Sequence, residues 1–141
     1  MDIVFVCTGN TCRSPLAESI AKSMSNEHAF SSRGIYATNG IEASHHTQHI
    51  IKTNHLPAAT LSAVFDRTDS EKDLILTMTA NHRDTIRALY PESKVYTLTE
   101  YIDGVSQDIM DPYGGDYEIY QQTYEQLQEN ITKLLTKIDE K

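Results

Sequence analysis

Near its start the chain reads Cys7-Thr8-Gly9-Asn10-Thr11-Cys12-Arg13-Ser14-Pro15. A thiol, an intervening glycine and a guanidinium six residues beyond the thiol suit one chemistry in particular, attack by sulfur on a bound phosphoryl group. A cysteine that ends a strand, on a turn entering a helix, lies where backbone N–H groups converge and the helix dipole is positive. Both effects favour the thiolate, the nucleophilic form. The same N–H groups would cradle three equatorial phosphoryl oxygens. Arg13 would clamp two of those oxygens with paired hydrogen bonds that lysine cannot make. Gly9 falls where the loop requires a tight turn. The alternative for Cys7 is a small buried apolar residue, the usual state of a free cysteine. The strand-loop-helix setting favours the catalytic role. No Gly-Lys-Ser/Thr closes the loop, which excludes an ATP-binding loop.

The flanking sequence supplies that setting. Ile3-Val-Phe-Val6 has no alternation and predicts a strand buried on both faces. Ser14 before Pro15 predicts an N-cap and first helical residue. Leu16, Ala17, Ile20, Ala21 and Met24 then repeat at helical spacing. A strand follows over 30–37, then a helix over about 44–54 with Ile50 and Ile51 inward. Residues 73–78 predict a third strand, 79–90 a helix stopped by Pro91, and 94–98 a fourth strand. A long helix after Gly115 carries Tyr120, Tyr124, Leu127, Ile131, Leu134 and Ile138 on one face. Strands alternating with helices predict an α/β three-layer sandwich with a four-stranded parallel sheet flanked by helices. No linker or repeat divides residues 1–141, so one domain is expected. The last helix is too short for a sustained coiled coil, and core packing is its expected role.

The 141 residues carry 12 Lys and Arg against 20 Asp and Glu, a net charge of -8. Such a balance disfavours nucleic acid and anionic lipid, which both require clustered bases. Apolar runs are short and Asp2 follows Met1, so neither a signal peptide nor a spanning helix is expected. A cytoplasmic protein with reduced thiols follows from the two cysteines. Acids and bases cancel up to residue 65, and no Lys or Arg occurs between Lys94 and Lys133. That acidic stretch reads as a solvated face or as an acidic lip on a binding site. Within it, Pro112 and the Gly114-Gly115 pair place Asp111 on a rigid loop, where a group reaching over a pocket belongs. His45 and His49 lie one turn apart, but no nearby carboxylate or cysteine completes a metal site. With His46 they are expected to be solvated. Tyr117, Tyr120 and Tyr124 are expected to pack.

The signature Cys7-x5-Arg13-Ser14 at the end of the first strand resembles the low-molecular-weight protein tyrosine phosphatases. The likeness runs through Ile3 to Glu18, recurs in Asp73 to Met78 with Asn81-His82-Arg83, and returns in Asp111-Pro112-Tyr113. It implies a phosphate-binding loop after the first strand and two-step hydrolysis with no metal and no cofactor. Cys7 would be the nucleophile and Arg13, with the N–H groups of Thr8 to Ser14, the holder of the transition-state oxygens. Asp111 would act first as acid and then as base. Ser14 would hydrogen-bond the thiolate, and Asn10 would brace the loop. The N-cap and an ordinary turn asparagine are their plain alternatives, and both roles can coexist. Inorganic phosphate would leave as product, and a monomer acting on phosphorylated proteins is the expected state.

Position 11 departs from the tyrosine-directed pattern, which has a β-branched aliphatic residue there. Thr11 is similar to the bacterial protein-arginine phosphatases, and after Tyr113 comes Gly114 where many tyrosine-directed members have a second aromatic. A hydroxyl at position 11 can bond a guanidinium N–H, whereas burying it unpaired against a phenyl ring costs on the order of 1–3 kcal/mol. Phosphoarginine is therefore the expected substrate and phosphotyrosine the alternative. A phosphoprotein-binding module would need neither Cys7 nor Asp111. The related arsenate reductases use a further downstream cysteine pair, which this chain lacks. Cys12 is within bridging reach of Cys7 on a tight loop. It packs under the loop or, as in the family, serves as redox partner protecting Cys7.

Overall fold

The structure, a computed structural model, describes residues 1–139; the last two residues of the expected 1–141 domain lie outside it. Four strands, β1 (Asp2–Cys7), β2 (Ala29–Gly34), β3 (Leu74–Thr77) and β4 (Val95–Thr97), form one sheet in the order β2-β1-β3-β4. Every pairing is parallel, with Ile3 opposite both Phe30 and Leu74. Interleaved with the strands are α1 (Arg13–Met24), α2 (His45–Thr53), α3 (Arg67–Ser70), α4 (Ala80–Leu89), α5 (Leu98–Asp103) and α6 (Tyr117–Asp139).

The side chains of β1 alternate between two cores, as a period of two requires. Ile3 and Phe5 join Leu16, Ile20, Leu127 and Ile131 under α1 and α6, while Val4 and Val6 join Ile75 and Ile86 under α4. Both faces of the sheet are thus covered, and the three layers expected from the sequence are present. From β1 the chain crosses to β2 on one side and then returns to β3 on the other. The carboxyl ends of β1 and β3 therefore flank a topological switch point, where α/β sheets open a crevice. Cys7 ends β1 at that crevice.

Several boundaries differ from expectation. Helix α1 starts at Arg13 with Cys12 as its N-cap, so Ser14 is not the cap and Pro15 is the third helical residue. Proline is tolerated there because the first-turn N–H groups have no intrahelical partner in any case. Strand β2 stops at Gly34 rather than running to residue 37, because the next residues bend back onto the loop. Ile35 N donates to Cys7 O and Tyr36 N to Thr8 O, each at 3.0 Å. The short helices α3 and α5 escape the apolar periodicity because each is a single capping-box turn, on Asp66/Asp69 and Thr97/Glu100 respectively. His46 is not simply solvated, since its ring lies 4.9 Å from that of Tyr120.

Gly34 fixes how closely β2 approaches the loop after β1. A Cβ there would lie 2.6 Å from Thr8 O and 2.8 Å from Asn10 N, both backbone atoms that cannot swing aside. Gly34→Ala is expected to lower unfolding free energy by about 1–3 kcal/mol through overpacking. Urea unfolding of the two proteins measures the difference.

Candidate active site

At the crevice the chain from Cys7 to Arg13 wraps into a loop that leads straight into α1. The left-handed residue of this loop is Asn10, with φ +57°, and not Gly9, which the sequence had marked for the turn. Asparagine reaches this region more readily than other side-chain-bearing residues. Its amide then holds the turn: Asn10 Oδ1 accepts from Ala63 N at 2.9 Å and Nδ2 donates to Ser14 Oγ at 2.8 Å. A Cβ on Gly9 would meet only Thr11 Oγ1, at 3.7 Å. The glycine thus leaves room along a pocket of about 250 Å³ lined by Cys7, Thr8, Gly9, Thr11, Cys12, Arg13, Asp111 and Tyr113.

Cys7 Sγ and Ser14 Oγ are 2.8 Å apart, both buried. Arg13, only 4% exposed, donates from Nη1 to Ile109 O at 3.1 Å, which fixes the plane of its guanidinium. Its Nη2 lies 3.5 Å from Asp111 Oδ2. Asp111 is held by a local turn in which its Oδ1 accepts from Tyr113 N at 3.0 Å. Tyr113 is 83% exposed and stands as a single ring at the mouth. Thr11 O accepts from Ser44 N at 2.8 Å, tying the loop to the cap of α2. Cys12 is buried with its thiol free, 3.4 Å from the Tyr120 hydroxyl. Burial, then the Cys12 contact, pushes the Tyr120 pKa up to about 12, so this phenol keeps its proton.

The acidic stretch does not form the lip considered above. Among its carboxylates Asp111 alone lines the pocket. Glu100 binds Arg83, while Asp108 accepts from Ala80 N and Asp116 from Ile119 N. A cluster of three possible metal ligands, Glu27, His28 and Asp139, is found among the described residues, near the start of β2 and away from the pocket. No described helix is long and apolar enough to cross a membrane.

One residue of this corner had no role in the sequence reading. His82, in the first turn of α4, places Nε2 2.8 Å from Thr8 Oγ1. Position was the available signal, because β3 lies beside β1 and the turn after it faces the same crevice. Burial, then the Arg13 charge, lowers the His82 pKa from 6.5 to about 4, opposed by Asp108 and Asp111.

Comparison with known proteins agrees on the family. The family model described as low molecular weight phosphotyrosine protein phosphatase matches residues 2–141. Low molecular weight protein-tyrosine-phosphatase PtpB of Staphylococcus aureus is 47% identical over 135 residues, covering 95% of this chain and 96% of the relative. Among solved structures, the YwlE arginine phosphatase from Geobacillus stearothermophilus is 35% identical with a TM-score of 0.94, covering 97% of this chain and 92% of that one. A YwlE mutant from Bacillus subtilis is 34% identical with a TM-score of 0.96, covering 99% of each. The fold and the comparisons define a cysteine phosphatase. The chain belongs to the low molecular weight phosphotyrosine protein phosphatase family.

The His82 shift has a consequence for stability. Between pH 6.5 and about 4 the unfolded histidine binds a proton that the folded one refuses. Its contribution to stability is therefore complete above pH 6.5 and is lost as pH falls toward 4. The urea midpoint should drop over that window, and drop less in His82→Gln.

Proposed function

We propose that the chain hydrolyses phosphorylated protein side chains, phosphoarginine foremost, through a phosphate ester of Cys7. In this reading the Cys7 thiolate attacks phosphorus in line, forming the S–P bond as the P–N bond breaks. Arg13 and the loop N–H groups hold the equatorial oxygens while charge develops on them. Asp111, in its acid form, gives its proton to the departing guanidine nitrogen. A water then attacks the cysteinyl-phosphate, the Asp111 carboxylate takes its proton, and inorganic phosphate and free thiolate result. Nucleophile, acid and oxyanion donors all come from this chain, so no step requires a metal or cofactor.

The wall of the pocket carries the choice of phosphoarginine. Beside Asp111, its lining includes Thr11 and one aromatic ring, the exposed Tyr113. A guanidinium brings N–H donors that a threonine hydroxyl and a carboxylate can accept, whereas a phenyl ring would leave that hydroxyl unpaired. The likeness to YwlE arginine phosphatases supports the same reading, and one of those structures carries a phosphorylated active-site serine. The second reading, phosphotyrosine, is favoured by the naming of the staphylococcal relatives as tyrosine phosphatases. A monomeric cytoplasmic enzyme with Cys12 as redox partner of Cys7 completes the proposal.

The test compares wild type and Thr11→Ile on phosphoarginine and phosphotyrosine proteins. Wild type should prefer phosphoarginine, and Thr11→Ile should shift the ratio of kcat/KM toward phosphotyrosine by about 10-fold or more, the size of one lost or stranded hydrogen bond. Equal preference for phosphotyrosine in both would overturn the arginine reading.

A further inference from the structure

Two features of Thr8 bear on its role. It is exposed at the mouth of the pocket, whereas Cys7, Asn10 and Ser14 are buried. Its hydroxyl is also pinned from outside the loop, by His82 Nε2 at 2.8 Å. His82 itself is only 7% exposed, and its other ring nitrogen, Nδ1, is buried without a partner.

That orphan atom selects the tautomer. A proton on Nδ1 would bury an N–H with no acceptor, an arrangement rarer than an under-used lone pair. The proton therefore sits on Nε2, which donates to Thr8 Oγ1. A hydroxyl has one proton and two lone pairs. With one lone pair occupied by His82, Thr8 retains one lone pair and its own proton, both in a fixed orientation beside the pocket.

We propose that Thr8, oriented by His82, is a second specificity contact for phosphoarginine, its free lone pair accepting a guanidinium N–H while its proton is donated to a phosphoryl oxygen. The inference rests on the phosphoarginine reading above and extends it from Thr11 to the neighbouring wall. A phosphoryl group joined to a guanidinium nitrogen offers an acceptor and a donor side by side, which is what the pinned hydroxyl complements. An aryl phosphate offers only the acceptor, so the lone pair gains no substrate partner and stays with solvent. His82 touches no substrate in this account and acts as a positioning residue. The charged groups influencing it are Arg13 from α1 and Asp108 and Asp111 from the segment before α6, and burial with Arg13 keeps it uncharged near neutral pH. A charged His82 would carry a second N–H with nothing to accept it.

The test is a double-mutant cycle read on two substrates. Thr8→Val, His82→Ala and the double variant are assayed on phosphoarginine and phosphotyrosine proteins, and the ratio of the two kcat/KM values is compared with wild type. Thr8→Val and His82→Ala should each lower the phosphoarginine-to-phosphotyrosine ratio by roughly 10-fold, one hydrogen bond's worth. The double variant should fall no further, since His82 acts through Thr8. His82→Gln, whose amide can donate to Thr8, should recover most of the ratio. A ratio unmoved by Thr8→Val overturns the inference while leaving the phosphoarginine reading intact. So does a His82→Ala loss that is equal on both substrates and additive with Thr8→Val, the pattern of a structural role. Should His82→Ala fail to fold, Thr8→Val and His82→Gln decide the matter. A wild type with no phosphoarginine turnover overturns the substrate reading and this inference together.

Discussion

The Ser14 hydroxyl sits at the centre of the site, and it has a single proton to give. Asn10 Nδ2 donates to its oxygen at 2.8 Å, so the proton is left for Cys7 Sγ at 2.8 Å or Arg33 O at 3.3 Å. A thiolate has no proton of its own and must accept hydrogen bonds, from Ser14 or from backbone N–H groups. Ser14 can serve either form of Cys7, donating to a thiolate, or accepting from a thiol while its own proton goes to Arg33 O. Everything around it keeps that one donor in register. Asn10 must enter the left-handed region for its amide to reach both Ser14 and Ala63, and Gly34 must lack a Cβ for the loop to lie so close to β2.

The sheet order explains why these parts meet. With β1 central and the chain reversing direction across it, the carboxyl ends of β1 and β3 open onto one crevice, and the loops behind both strands contribute to it. The first brings Cys7 to Arg13 and the second brings His82. Arg13 is anchored on Ile109 O, so the segment that carries Asp111 is docked on the guanidinium that it overhangs. In the proposed reaction, phosphate binding is a local affair of one guanidinium, a helix end and the loop N–H groups. A net charge of -8 spread over distant carboxylates is screened by solvent and does not cancel that field.

Much of this is legible in the sequence alone. The buried run Ile3–Val6, the Cys7-to-Arg13 spacing and the Pro112 and Gly114 flanks of Asp111 each encode their own local setting. What escaped the sequence depends on contacts between distant residues. Ser14-Pro15 looks like a cap and first turn, yet the loop hydrogen bonds extend the helix back to Arg13 and draw Ser14 under the thiol. Gly9 looks like the hinge, yet Ala63 and Ser14, one of them far along the chain, make Asn10 the better one. The acidic stretch reads as a solvated face or as a lip, and capping and ion pairing disperse its carboxylates, Asp111 excepted. The partner of His82 lies 74 residues away, and no periodicity announces it.

In the proposed reaction Cys7 carries the phosphoryl group between two half-reactions. Asp111→Ala isolates that event with an aryl phosphate such as 4-nitrophenyl phosphate, whose leaving group departs without an acid while the water-activating base is missing. The variant is mixed with substrate, rapidly denatured, digested and examined by mass spectrometry. One added phosphoryl group is expected on the peptide that contains Cys7, formed together with a burst of nitrophenol. Turnover without any such adduct, or an adduct on a residue other than Cys7, would contradict it.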